Sequence, residues 1–329
     1  MRAPQLLVVV DTEEEFDWDG PFSRDSVGTR SIPSQARAHA IFDRFGVVPT
    51  YVVDYPVAID AAAIDFFGAL RADGKAEIGA HLHPWVTPPL DEDVNAHNSY
   101  HCNLAPALER DKIERLTATI ADAFGAAPTI FKAGRYGFGA NTRRVLMDLG
   151  YRIDCSYVPF TSFEADGGPS FYGTREEPFW LDREQTLLEV PITSGYIGLA
   201  AGLGPRIQPL FDSRRSERLR IPGMLARSHL VARSRLTPEG VSAAEQCRLL
   251  RTLVAKGRRT FTLSYHSPSL APGNTPYVRS EGELAAFLQT IEEVLGYFRD
   301  TLGGSFTTLT ALYEQMAQAR APQRKFERA

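Results

Sequence analysis

Short apolar runs alternate with stretches of helical periodicity along most of the chain, and this rhythm constrains the fold more than any other feature. Apolar, β-rich runs lie at 6–10, 49–53, 77–82, 129–133, 151–155, 186–192 and 260–265. Helical spacing of apolar residues lies between them, at 34–45, 59–72, 108–124, 141–149, 239–256 and 282–301, with Gly46 and Gly150 standing where helix ends need a left-handed residue. The run 6–10 is continuously apolar, as a strand buried on both faces must be. Strand, helix, strand with short joints means crossover connections and a parallel sheet. Such a series predicts an α/β chain whose strands close into a deformed (β/α) barrel of about seven parallel strands, with a doubly wound open sheet as the alternative. It predicts one domain over 1–318, an Arg-rich insertion at about 196–238, an ordered loop at 160–180, and a flexible tail at 319–329. In either fold, side chains that do chemistry gather at the carboxyl ends of the strands.

Composition excludes several partners. There are 36 Lys+Arg against 40 Asp+Glu, a formal charge of −4, which does not suit a duplex nucleic-acid binder. The three cysteines, Cys102, Cys155 and Cys247, are far apart and form no CxxC pair, so neither a disulfide scaffold nor a cysteine zinc site is expected. The apolar run at 6–10 is too short for a signal-peptide core and is followed at once by acids, and no stretch approaches a membrane span. The expectation is a cytoplasmic protein.

The residues that directly follow the apolar runs are ionisable. Asp11, Glu13, Glu14 and Glu15 follow the first; His81 and His83 end the third; Lys132 and Arg135 follow the fourth; His266 follows the last. In an extended chain residues i and i+2 share a face. His81 and His83 therefore present two imidazoles together, and Asp11 and Glu13 two carboxylates. Two His and one carboxylate suit a divalent metal with an open position, as in catalytic zinc sites. His97 and His101 also stand at ligand spacing, but their polar neighbours read as a loop. His266 can serve as a general acid or base. No GxSxG elbow, Walker lysine motif or GxGxxG follows a strand, which argues against serine-nucleophile, nucleotide-phosphate and dinucleotide chemistry.

The ordered set Asp11-x-Glu13, Glu77-Ile78-Gly79-Ala80-His81, Phe131-Lys132-Ala133-Gly134-Arg135-Tyr136-Gly137 and Leu263-Ser264-Tyr265-His266 resembles the NodB-homology polysaccharide deacetylases, carbohydrate esterase family four and its relatives. The flavour is that of a divergent exopolysaccharide-biosynthesis branch. The resemblance implies a deformed (β/α) barrel and metal-dependent removal of an N- or O-acyl group, typically acetyl, from a sugar. It implies Asp11 as the base, and Glu13 with His81 as metal ligands. The family places a second histidine four residues after the first. Trp85 stands there in this chain, and His83 is the natural substitute. Lys132 takes the place of the arginine that orients the base, with Arg135 as a nearby alternative, and His266 matches the general acid.

On this reading a divalent metal, zinc by expectation, is the cofactor, and Trp85, Tyr136 and Tyr265 are candidates to stack on a sugar ring. A deformylase or metal-free amidohydrolase on the same fold is one alternative, and a glycan-binding relic without turnover another. The eight arginines within 204–235 suit phosphate through bidentate hydrogen bonds, so a nucleotide- or lipid-linked acylated sugar or oligosaccharide is a candidate substrate. They also suit peripheral contact with an anionic inner-membrane surface.

Overall fold

The pleat of the first strand sets the layers. In the computed structural model, which describes residues 3–228 and 230–320, β1 runs over Gln5–Thr12. Leu6, Val8 and Val10 pack outward with the helices, whereas Leu7 and Val9 belong to a separate inner cluster. The same alternation carries Asp11 inward at the carboxyl end.

Around β1 the sheet follows the order β10 (Thr260–His266), β1, β2 (Thr50–Val53), β3 (Glu77–Leu82), β4 (Ile130–Ala133), β5 (Ile153–Asp154), β7 (Leu188–Glu189) and β6 (Phe179–Trp180), with β11 (Ser305–Phe306) beside the start of β1. All pairings are parallel except β6 with β7. The step from β7 back to β10 is bridged without a strand: Thr193 donates to Thr262, Leu236 to Thr193, and Ser264 to Leu236. The sheet therefore curls into a deformed (β/α) barrel, as expected, with irregular closure at this one step. Inside it, Gly79 is required by space: a Cβ there would lie 2.9 Å from both the Ile130 carbonyl and the Val52 side chain.

Helices α1 (Gln35–Phe45), α4 (Pro106–Phe124), α5 (Ala140–Asp148), α10 (Ala243–Ala255) and α11 (Glu281–Gly296) cover the outside. The helix expected at 59–72 is broken. Asp54 caps α2 (Tyr55–Ile59), and Asp60, in extended conformation, caps α3 (Ala61–Ala72) through Ala63. The helix expected from 239 begins only at Ala243, after its Ser242 cap, which leaves Glu239 in a loop. The strands expected at 151–155 and 186–192 shorten to two residues each.

The last helix and the internal build of the insertion go beyond the sequence expectation. Helix α12 (Leu309–Arg320) plugs the amino-terminal end of the barrel: Leu309, Leu312 and Tyr313 join Leu7 and Val9, and Glu77 at the start of β3 accepts from the Leu309 and Thr310 N–H groups. The Arg-rich insertion is a hairpin of β8 (Ser194–Ile197) and β9 (Ala232–Arg235). Its arm carries the short helices α6 (Gly204–Ile207), α7 (Pro209–Asp212), α8 (Arg214–Arg218) and α9 (Ile221–Arg227). Among the described residues no helix is long and apolar enough to cross a membrane. The expected tail lies mostly outside the described residues, although 319 and 320 close α12.

Candidate functional site

Strand register brings the ionisable residues into one cluster. Asp11 pairs across the ladder with His266, and His81 with Lys132. All face the interior at the carboxyl ends, where a cavity of about 510 Å³ opens, lined by Asp11, Glu13, His81, His83 and His266 among others.

Asp11 is 2 % exposed, a burial that by itself would raise its pKa. Lys132, wholly buried, places Nζ 2.5 Å from both carboxylate oxygens and 3.2 Å from Ser264 Oγ. Burial alone would lower the Lys132 pKa, but the Asp11 charge raises it. The Lys132 charge, with His266 adding to it, brings Asp11 below its usual value. Asp11 is thus a carboxylate held ionised, with its Oδ2 3.5 Å from His266 Nε2.

His266 is fixed from behind by a residue the sequence did not single out. Glu239 Oε2 accepts from His266 Nδ1 at 2.8 Å, while Glu239 Oε1 accepts from the His266 N–H at 3.0 Å and from Ser269 Oγ at 2.6 Å. Burial opposes the imidazolium, but the charges of Glu239 and Asp11 outweigh it and raise the His266 pKa. Glu239 has no sequence signal of its own; the loop after β9 brings it in.

Next to Asp11, three donor atoms converge without an internal partner. Glu13 Oε2 lies 3.3 Å from His81 Nε2 and 3.5 Å from His83 Nε2. The opposite nitrogens are already committed. His81 Nδ1 faces the Lys132 carbonyl at 3.0 Å, so it must donate, and His83 Nδ1 faces Glu14 Oε2 at 2.7 Å. Both Nε2 lone pairs therefore point at a carboxylate whose other oxygen, Glu13 Oε1, is buried with no hydrogen bond. Burial, reinforced by Glu14, Asp11 and Asp54, pushes the Glu13 pKa well above the usual range, and burial pulls His81 well below its own and His83 down to about 4. These three atoms lie close enough together to hold one cation between them. Tetrahedral bonds of about 2.0–2.1 Å put neighbouring ligand atoms about 3.3–3.4 Å apart, close to the spacings found. The two-nitrogen, one-oxygen set fits a divalent metal and lines the cavity.

Glu14 is the supporting residue on the far side. Burial raises its pKa to about 7, and its Oε1 accepts from Trp85 Nε1 at 2.8 Å. Its backbone N–H donates to Asp54, 2.6 Å away. Such outer contacts orient a metal-binding imidazole. Gly134 is needed beside it, because a Cβ there would overlap both the Leu82 carbonyl oxygen and the His83 ring. The Glu13 backbone is pinned by its N–H to Ser267 Oγ at 3.0 Å.

Several assignments are corrected by these positions. Trp85 is 2 % exposed and stacks under His83 at 4.3 Å, so it braces that ring and offers no face to a sugar. Tyr265 is 1 % exposed and packs outward against Phe287: with His266 facing in, the pleat turns its neighbour out. Arg135 does not reach Asp11; it donates to Ser99 Oγ at 2.5 Å and lies against Tyr100. His101 is buried against Glu109, and His97 bonds with Asn103; neither lies at the cavity. Tyr136 does line the cavity, stacked on Phe163 at 5.3 Å. The sequence reading missed Phe16 and Trp18, from the loop after β1. Trp18 stands edge-on to His266 at 4.9 Å, and Phe16 edge-on to His83 at 5.8 Å.

No family model matches the sequence, and no curated protein matches it. Solved structures do. A protein assigned as a polysaccharide deacetylase from Mycobacterium smegmatis superposes with a TM-score of 0.55 at 16% identity, over 100% of this chain and 96% of its own. PuuE allantoinase and a protein assigned as a polysaccharide deacetylase from Pseudomonas aeruginosa PAO1 each give 0.55 at 15% identity, over 96% of this chain and 91% of theirs. At these identities the likeness establishes a shared fold.

Proposed function

We propose that this chain is a metal-dependent hydrolase that removes an N- or O-acyl group, acetyl in the first instance, from a sugar used in building a cell-surface polysaccharide. The observation that carries the reading is the juxtaposition of an ionised Asp11, an imidazolium-prone His266 and the cation-deficient Glu13, His81 and His83 set around one cavity. The fold likeness to two proteins assigned as polysaccharide deacetylases supports it.

Glu13, His81 and His83 would hold the divalent metal, with zinc favoured by their nitrogen and oxygen donors. When bound, such an ion supplies Lewis-acid polarisation of the acyl carbonyl and lowers the pKa of water. The chain's own groups do the proton work. Asp11 accepts the proton of the attacking water, and Lys132 keeps Asp11 ionised and aimed between acts. His266 donates from Nε2 to the departing sugar amine or hydroxyl, while Glu239 stabilises the imidazolium and fixes Nδ1–H. Tyr136 offers a ring face to the sugar.

The test is release of acetate or formate from acetamido- and formamido-sugars by the metal-loaded protein. Asp11→Asn should abolish release while metal content is retained; full activity in that variant would end the base assignment. The likeness to PuuE allantoinase favours a second reading, amide hydrolysis on a small non-sugar substrate. Turnover of allantoin, with no turnover of any acylated sugar, would decide for it.

The insertion supports a peripheral position on a membrane from the cytoplasmic side. Leu199, Leu203, Leu210, Leu219, Met224 and Leu230 are exposed on its arm, alongside exposed Arg206, Arg215, Arg218, Arg220 and Arg227. Apolar side chains flanked by arginines suit the interface of an anionic bilayer. Vesicles containing phosphatidylglycerol should sediment the protein at low salt and Leu219→Ser with Met224→Ser should weaken this; no sedimentation would refute the membrane contact.

A further inference from the structure

The cavity holds more positive charge than the proposed chemistry uses. Three arginines line it. Arg233 is neutralised: Nη2 lies 2.6 Å from Asp212 Oδ1, Nη1 lies 2.7 Å from Asp212 Oδ2, and Nη1 also donates to the Phe160 carbonyl. Arg135 and Arg235 are not. Arg135 is half-buried, donates to Ser99 Oγ and to the Ala96 carbonyl at the limit of 3.5 Å, and lies 4.2 Å from the Tyr100 ring centre and 5.0 Å from that of Phe22. Arg235, also half-buried, donates to Thr161 Oγ1 at 3.2 Å and stands 6.0 Å from the Tyr136 ring centre. Neither forms an ion pair with a carboxylate among the described residues, and Arg135 feels the negative charge of Asp166 from beyond ion-pair distance. Of the acids that line the cavity, Asp11 is committed to Lys132, Glu239 to His266 and Glu13 to the two histidines, while Asp17 accepts from the Asp19 N–H.

The backbone at this point is also unusual. Arg135 and Tyr136 are consecutive non-glycine residues in the left-handed region, with φ of 51° and 61°. Such residues are strained and persist where the surrounding structure holds them. The bend sets the Arg135 guanidinium on the cavity wall while Lys132, three residues earlier, stays on Asp11. A guanidinium with five donors, partly withdrawn from water and matched by only one or two acceptors, is a site for an oxyanion that accepts two parallel hydrogen bonds.

We infer that Arg135 and Arg235, both on the wall of the cavity, form an oxyanion subsite, so that the acylated sugar taken by this cavity carries a phosphate or carboxylate group. The inference rests on the acyl-sugar reading above and names its substrate class. Phosphate and carboxylate share the recognition chemistry, and the assay tells them apart.

The experiment uses the full chain loaded with divalent metal and three probes: N-acetylglucosamine, its 1-phosphate, and N-acetylmuramic acid, which bears a carboxylate. Amine release gives kcat/KM, and quenching of Trp18, which lines the cavity, gives Kd. At low salt at least one anionic probe should exceed the neutral one by tenfold or more in kcat/KM, mostly through KM, and added sodium chloride should shrink the ratio. Which anionic probe leads identifies the natural group. Arg135→Met and Arg235→Met should each reduce the anionic-to-neutral ratio by about tenfold, and Arg135→Lys should keep part of it by keeping the charge without the fork. Should either methionine variant misfold, the lysine variant and the wild-type salt dependence carry the test. Equal handling of anionic and neutral probes, or a ratio unmoved by the substitutions, overturns the subsite. Anion-selective binding with no acyl release from any probe would instead remove the hydrolase reading and leave the subsite standing.

Discussion

Replacing Glu239 by Gln changes one atom in shape and removes one charge, and its effect can be worked out from the contacts. Glu239 Oε2 holds His266 Nδ1 at 2.8 Å, and Oε1 takes the His266 N–H and Ser269 Oγ. In Gln, Oε1 can keep the latter two, but an amide NH2 then faces Nδ1. The ring must give up its Nδ1 proton to accept, and the imidazolium loses its partner. A hydrogen bond to a charged group is worth about 1.5–3 kcal/mol, which corresponds to roughly a ten- to hundredfold fall in kcat/KM where the protonated ring is needed. The sign in pH follows. His266 has a raised pKa and must be protonated, so wild-type activity declines on an alkaline limb above the ordinary histidine value; Asp11 has a lowered pKa and must be ionised, so the acid limb lies below the ordinary carboxylate value. Removing Glu239 lowers the His266 pKa, moves the alkaline limb toward acid, and leaves the acid limb in place. The measurement is a pH profile of kcat/KM beside an NMR titration of the His266 ring. A uniform loss at every pH, or an unchanged titration, would refute the assignment of Glu239 as the residue that sustains the imidazolium.

Three further outcomes follow from the same geometry. Lys132→Met strands Asp11 as a buried charge and should lower unfolding stability by about 3–5 kcal/mol in denaturant titration, with part regained on adding Asp11→Asn. Gly134→Ala must displace His83, so metal content by elemental analysis should fall even where circular dichroism reports an intact fold. Divalent metal at a hundred times its Kd should add about 2.7 kcal/mol to unfolding stability, a gain that chelator reverses and that Glu13→Gln with His83→Gln abolishes in calorimetry.

The order of strands and helices was legible because burial on two faces forces continuous apolar runs, and because crossover helices must carry a stripe at helical spacing. The ionisable ends of β1, β3, β4 and β10 were legible for the same reason: a polar residue directly after such a run stands at the rim of the sheet. The pleat rule was strong enough to pair His81 with His83. Applied to β10 it also excludes Tyr265, since inward His266 turns the residue before it into the helix layer.

What the sequence could not determine depends on contacts between distant segments. Whether Lys132 or Arg135 serves Asp11 turns on a left-handed bend at 135–136. That Trp85 braces His83 depends on Glu14 meeting its indole N–H across 71 positions. Glu239 reaches His266 only because α10 starts late and the hairpin of the insertion returns the chain to the rim. Local periodicity records which face of an element is apolar, and that is a property of neighbouring residues. The direction and protonation of a buried polar side chain follow from whatever fills the few ångströms around it, and those neighbours come from every part of the chain.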